Sequence, residues 1–162
     1  MSESKFITCR TYDNQTQEVP AEELQFRPSV YGIIIRDNAV LLSRQWDGYD
    51  FPGGGIEKGE RIGDALAREI HEETGMTARI NKLVHVADDF FLTIRSKRPI
   101  QSTLLYYTCT NISGEISSEF LDGNEKTYMQ AAEWIPLNRI DDIKFYNSIN
   151  SPELIRKALT SS

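Results

Sequence analysis

Apolar positions recur with two different periods along the chain, and the change of period marks the elements. Across residues 61–74, Ile62, Ala65, Leu66 and Ile70 stand at spacings of three and four, the stripe of an amphipathic helix. Gly75 follows, where a glycine in the left-handed conformation ends such a helix. Elsewhere, alternation and short β-branched or aromatic runs predict strands over residues 5–12, 30–35, 39–42, 77–86, 101–110 and 131–135. Asp13-Asn14 is a turn signal, and Asp37-Asn38 joins residues 30–35 to 39–42 as a hairpin. Residues 16–25, polar and carrying Pro20, read as a connection or an edge strand. Residues 47–55, with three consecutive glycines after a proline, read as a loop. Residues 88–99 read as part strand and part mobile loop, and 119–126 as a polar loop. Pro136 turns the last strand toward a helix, and Ser151-Pro152-Glu153 opens a terminal helix with Ser151 as its N-cap. Strands, a central helix, more strands and C-terminal helices describe an α/β (α+β) chain, a mixed sheet with helices packed on it.

Composition narrows the function. The 162 residues carry 18 basic and 24 acidic side chains, a net charge of −6, which argues against extended nucleic-acid binding through a broad basic face. With 40% hydrophobic and 26% charged residues the chain is ordinary globular material, sized for a single domain over 1–162. Residues 1–28 form an N-terminal strand or extension, and 151–160 the C-terminal helix. The longest aliphatic stretch, residues 30–35, is far too short to span a membrane, and the start lacks the basic and apolar segments of a signal peptide. Cys9 and Cys109 form no CxxC pair and read as free buried thiols, so a cytoplasmic location is expected.

Chemistry concentrates at the end of the central helix. At 100° per residue, Glu72 lies about 60° behind Glu69 and Glu73 about 40° ahead of it, so three carboxylates share one stripe. They sit at the negative end of the helix dipole, where acids are disfavoured by typically 0.3–1 kcal/mol each. Ile62 and Leu66 fall at nearly the same angles, so the acids face partly inward. An inward carboxylate cluster needs neutralisation, and a hard divalent cation with oxygen ligands supplies it; Mg²⁺ fits best because it is commonly shared with substrate phosphates.

The segment Gly54, five residues, Glu60, seven residues, Arg68-Glu69-Ile70-His71-Glu72-Glu73-Thr74-Gly75-Met76 matches every fixed position of the pattern that defines the Nudix hydrolases. The chain therefore resembles that family. Phe51-Pro52-Gly53-Gly54-Gly55 is similar to the usual lead-in, and Glu133-Trp134-Ile135-Pro136-Leu137 resembles the late strand-to-helix junction. The resemblance implies a mixed sheet sandwiched between helices. It also implies hydrolysis of a diphosphate bond in a nucleoside di- or triphosphate derivative, with Mg²⁺ as cofactor, Mn²⁺ as its substitute and a small-molecule nucleotide as partner; a homodimer is compatible with it.

Position by position, the resemblance makes Glu72 and Glu73 the main metal ligands and Glu69 a further ligand or the residue that activates water. The Gly53 carbonyl becomes a backbone ligand, Arg68 orients a neighbouring glutamate, and Glu60 closes the loop by an ion pair. The family often adds a distant loop glutamate, for which Glu125 is favoured over Glu119. Outside the motif, Arg44 is a candidate phosphate contact. Phe90 and Phe91, with Tyr49, Tyr106 and Tyr107, are candidates for a wall that stacks on a base. The rival reading is a catalytically silent domain that binds or senses a nucleotide.

Overall fold

A computed structural model describes residues 4–161; expectations for Met1–Glu3 and Ser162 lie outside it. The long hydrophobic runs pair into one curled sheet. Strand β1 (Phe6–Arg10) turns back on β2 (Thr16–Pro20), and a 3₁₀ turn leads to the two-residue β3 (Gln25–Phe26). The predicted hairpin is β4 (Ser29–Arg36) and β5 (Ala39–Gln45), with Asp37 and Asn38 at φ 50° and 61° as the tight turn requires. The expected glycine loop instead contributes two short strands, β6 (Gly48–Asp50) and β7 (Gly53–Gly55), which pair with β5 and β4. Helix α1 (Ile62–Thr74) follows. Then come the long antiparallel pair β8 (Thr77–Leu92) and β9 (Pro99–Ser113), β10 (Met129–Pro136) and helix α2 (Ser151–Thr160). The strand order is β10-β5-β4-β9-β8-β1-β2, with β4 parallel to β9 and the other pairs along this path antiparallel apart from β1 with β8.

The period of two along β4 and β5 divides the core. Ile34 and Leu41 face one layer with Ala65, Leu66 and Ile70 of α1; Ile33 and Leu42 face the other with Leu154, Ile155 and Ala158 of α2. The sheet is therefore sandwiched between helices. No described helix is long and apolar enough to cross a membrane. Cys9 is buried, Cys109 partly so, and both are free thiols.

Three local expectations change. Strand β8 runs on through Leu92, so the expected loop shrinks to residues 93–98. After Pro136 the chain makes only a 3₁₀ turn, Leu137–Arg139. The N-cap of α2 is Asn150, whose side chain accepts from the Glu153 N–H at 3.2 Å, and Ser151 is already helical.

Gly75 ends α1 at φ 75°, with its N–H on the His71 carbonyl at 2.9 Å. A Cβ there would stand 2.7 Å from the Ser117 nitrogen. Gly75→Ala should therefore cost about 1–3 kcal/mol in backbone strain alone. Urea unfolding of the two proteins measures this; an unchanged midpoint would contradict the αL cap.

Candidate active site

Helix α1 projects Glu69 and Glu73 one turn apart from its buried stripe, which leaves both residues under a tenth exposed. Glu73 Oε2 accepts from Ser43 Oγ of β5 at 2.5 Å and from the Gly53 N–H of β7 at 3.2 Å. Glu69 Oε1 accepts from Arg68 Nη1 at 2.8 Å. Gly54 has no side chain because none fits: a Cβ would lie 2.7 Å from Glu69 Oε1. A third acid arrives from far along the chain. Asp122 Oδ1 accepts the N–H groups of Asn124 and Glu125 at 2.6 and 2.7 Å, folding a tight loop, and Glu125 Oε2 accepts the Asp122 N–H at 2.9 Å. One oxygen from each of Glu69, Glu73 and Glu125 lies within 4.8 Å of the others.

Burial drives the electrostatics. It pushes the Glu73 carboxyl well above the usual range, against the bonds from Ser43 and Gly53 that favour its charged form. Burial likewise raises Glu69, opposed by Arg68, and raises Glu125. Of these three close acids only Glu69 has a cationic partner among the described residues, Arg68; Glu73 and Glu125 have none. Their donor set is all oxygen, the chemistry that suits a hard divalent cation.

Glu72 is not part of this trio. It turns toward Arg68, 3.2 Å away, with its side chain 38% exposed. The helix geometry explains the difference: Glu73 stacks one turn beyond Glu69 over the buried stripe, whereas Glu72 swings to its flank. Arg68 is the organiser. Its Nε and Nη2 meet the two oxygens of Glu60 at 2.8 and 3.0 Å, and Nη2 reaches the Gly55 carbonyl at 3.3 Å. That pairing pulls the Glu60 carboxyl down to about 2, as an ion pair closing the loop onto the helix would. Gly53 engages Glu73 through its N–H.

The cluster opens on a cleft of about 500 Å³. Its wall is aromatic but not the one the sequence suggested. Trp46 sits at φ 46°, a rare conformation for a bulky residue. Its ring stacks on Tyr12 at 5.3 Å and Tyr128 at 5.0 Å and tilts against Tyr146 at 5.0 Å. Arg44 and Tyr49 lie elsewhere: both are held by Glu133, Arg44 Nη1 at 2.5 Å and the Tyr49 hydroxyl at 2.9 Å. Since Ser43 faces the glutamates, alternation along β5 sends Arg44 to the opposite face. Phe90 misses the cleft for the same reason and packs with Cys9, Val19 and Leu92, while Phe91 lines it. Tyr106 is buried in the core against Phe51, and Tyr107 packs on the α1 side. Glu119 is outside the carboxylate trio.

Deeper in the cleft Arg10 bonds Asp89 through Nη2 at 2.7 Å and the Tyr146 carbonyl through Nη1 at 3.2 Å. Nearby Asp50 is pushed up to about 6 by burial, despite bonds from Asn147 and the Phe51 N–H. A second cavity lies beyond the cluster, bordered by Phe26, Lys58, Glu72 and Phe120.

Residues 25–157 match the family model described as the NUDIX domain. An ADP-ribose pyrophosphatase of Methanocaldococcus jannaschii is 38% identical over 63 residues, which cover 36% of this chain and 37% of that protein. The chain thus spans well under half the length of that relative. Nucleoside triphosphatase NudI of Escherichia fergusonii is 36% identical over 110 residues, covering 59% of this chain and 78% of that protein. Among solved structures, a MutT NUDIX hydrolase from Burkholderia pseudomallei shares the fold with a TM-score of 0.59 and 22% identity, over 82% of this chain and 98% of that one.

Proposed function

The chain belongs to the NUDIX family, and from that premise we propose that it hydrolyses the diphosphate bond of a nucleoside di- or triphosphate derivative. The observation that carries the reading is the trio Glu69, Glu73 and Glu125, with oxygens within 4.8 Å of one another at the mouth of an aromatic cleft. These three would hold Mg²⁺ or Mn²⁺, which when bound supplies neutralisation of the diphosphate oxygens. The chain's own side chains do the rest. Ser43 and the Gly53 N–H fix one Glu73 oxygen and so aim the carboxylate. Arg68 fixes Glu69 Oε1, while Oε2 accepts no protein hydrogen bond among the described residues. Glu69 Oε2 takes the proton of the attacking water, a role suited to a carboxyl whose affinity for protons is raised by burial. The rings of Tyr12, Trp46 and Tyr128 offer a face on which a base stacks, a contact worth about 1–3 kcal/mol.

A panel of ADP-ribose, NADH, nucleotide sugars, dinucleotide polyphosphates and normal and oxidised dNTPs, each with and without chelator, tests the proposal. At least one should be cleaved with release of a phosphate ester, and chelation should abolish it. A protein that binds these compounds but cleaves none would instead be a nucleotide sensor.

A further inference from the structure

The two cavities share only four lining residues: Arg27, Gly55, Glu69 and Glu125. Two of these are the carboxylates placed above at the metal, and one is a cation. The remaining cations around the cavities differ in their commitments. Arg10 is spent on Asp89, and Arg68 on Glu60, Glu69 and Glu72. Lys58 and Arg95 have no carboxylate partner among the described residues, but each borders a single cavity. Arg27 alone borders both and has no carboxylate within ion-pair distance among the described residues.

Its position is prepared by the backbone. Pro28 biases Arg27 to an extended conformation, and the Arg27 N–H binds the Gln101 carbonyl at 3.0 Å. The guanidinium lies 5.9 Å from the centre of the Phe91 ring, a cation–π contact. On its other side it rests against Gly55, where a Cβ would come within 2.8 Å of Nε and 3.0 Å of Cζ. The last glycine of the triplet therefore makes room for this side chain, as Gly54 makes room for Glu69.

We propose that Arg27 is the diphosphate clamp of this site, gripping the phosphates where they cross the ridge between the two cavities. The inference rests on the diphosphate reading above. A guanidinium offers a planar fork that matches two phosphate oxygens, and an unpaired one loses no ion pair on binding. In a chain of net charge −6, with Glu69 and Glu125 on the ridge and Glu73 beside them, such a cation also offsets the repulsion a polyphosphate would meet. With the phosphates there, the two organic ends of a diphosphate diester extend into opposite cavities, one along the aromatic wall and the other toward Phe26 and Phe120.

Methylenediphosphonate with Mg²⁺, a probe with the bridging phosphates and no organic arm, tests the clamp by calorimetry. Arg27→Ala should weaken its binding roughly tenfold or more, and Arg27→Lys should recover part of the loss. Gly55→Ala, which displaces the guanidinium without removing it, should weaken binding in the same direction. Mn²⁺ affinity of the variants, read without the probe, should stay within about twofold of wild type. KM for the preferred substrate should rise with less change in kcat. Equal binding of the probe by wild type and Arg27→Ala would overturn the inference, as would no binding to wild type, or parallel losses of probe and Mn²⁺ affinity. Wild-type turnover with an indifferent Arg27→Ala would sink the clamp alone; absence of metal-dependent turnover on any substrate would remove the diphosphate reading and the clamp with it.

Discussion

Glu73→Gln should lower turnover about a thousandfold or more while raising the thermal stability of the metal-free protein. The two effects have one origin. Glu73 is 7% exposed, and its charged form is opposed by desolvation and by Glu69 and Glu125. Glutamine keeps an oxygen to accept from Ser43 and the Gly53 N–H, so the local frame survives. It also places N–H donors beside two carboxylates in place of a third negative charge. Without a cation, the substitution removes a buried acid that resists ionisation, worth roughly 1 kcal/mol and a few degrees in Tm. With a cation, one of three charged ligands is lost at the point where charge must be neutralised in the transition state, hence the large rate effect. Activity at saturating Mg²⁺ and melting in chelator measure the two halves. A variant that is both less stable without metal and nearly as active would mean Glu73 is an ordinary buried acid.

Legibility in the sequence followed distance along the chain. The α1 stripe and its Gly75 stop sit within residues 54–76, where helix period and spacing alone place them, and the roles of Arg68 and Glu60 in the same segment came through the resemblance. Glu125 was reachable through the resemblance, because its loop carries turn-forming Asp122, Gly123 and Asn124. The cleft wall was not. Tyr12, Trp46, Tyr128 and Tyr146 come from four separate segments; the pairing of β5 with β10 brings Trp46 to Tyr128, and the bridge between Tyr49 and Phe145 brings Tyr146 to them. No local period encodes such a meeting. Parity governs the other candidates: in a strand one position decides the face, so Ser43 and Phe91 line the cleft while their neighbours Arg44 and Phe90 turn away from it. Glu72 shows the same sensitivity on a helix, where a single step of 100° separates the trio from its flank.

The cluster also sets how the protein responds to pH. In the metal-free protein Glu69, Glu73, Glu125 and Asp50 all have folded-state carboxyls raised above their usual values. The folded state then binds more protons than the unfolded one at mildly acidic pH, so unfolding free energy increases as pH falls from neutral toward the ordinary carboxyl range of about 4 to 4.5. Glu60 works the other way. Its carboxyl is drawn down to about 2, so the stability it contributes is present above about 4.5 and lost below. Metal-free protein should therefore melt higher at pH 5.5 than at 7.5, and keep the gain from the raised carboxyls at lower pH while the Glu60 contribution fades between about 4.5 and 2. Metal binding needs the same carboxylates deprotonated, so each competing proton weakens affinity by about tenfold per pH unit below the folded-state value. Between pH 7.5 and 5.5 the Mg²⁺ dissociation constant should thus rise, and the stabilisation that Mg²⁺ confers should shrink as the metal-free protein gains. Melting curves with Mg²⁺ or chelator across pH 4–8, with calorimetric affinities at the same points, follow both trends at once. An affinity that stays flat over this range, with metal-free protein least stable at pH 5.5, would mean the three glutamates are already charged without metal and do not form its site.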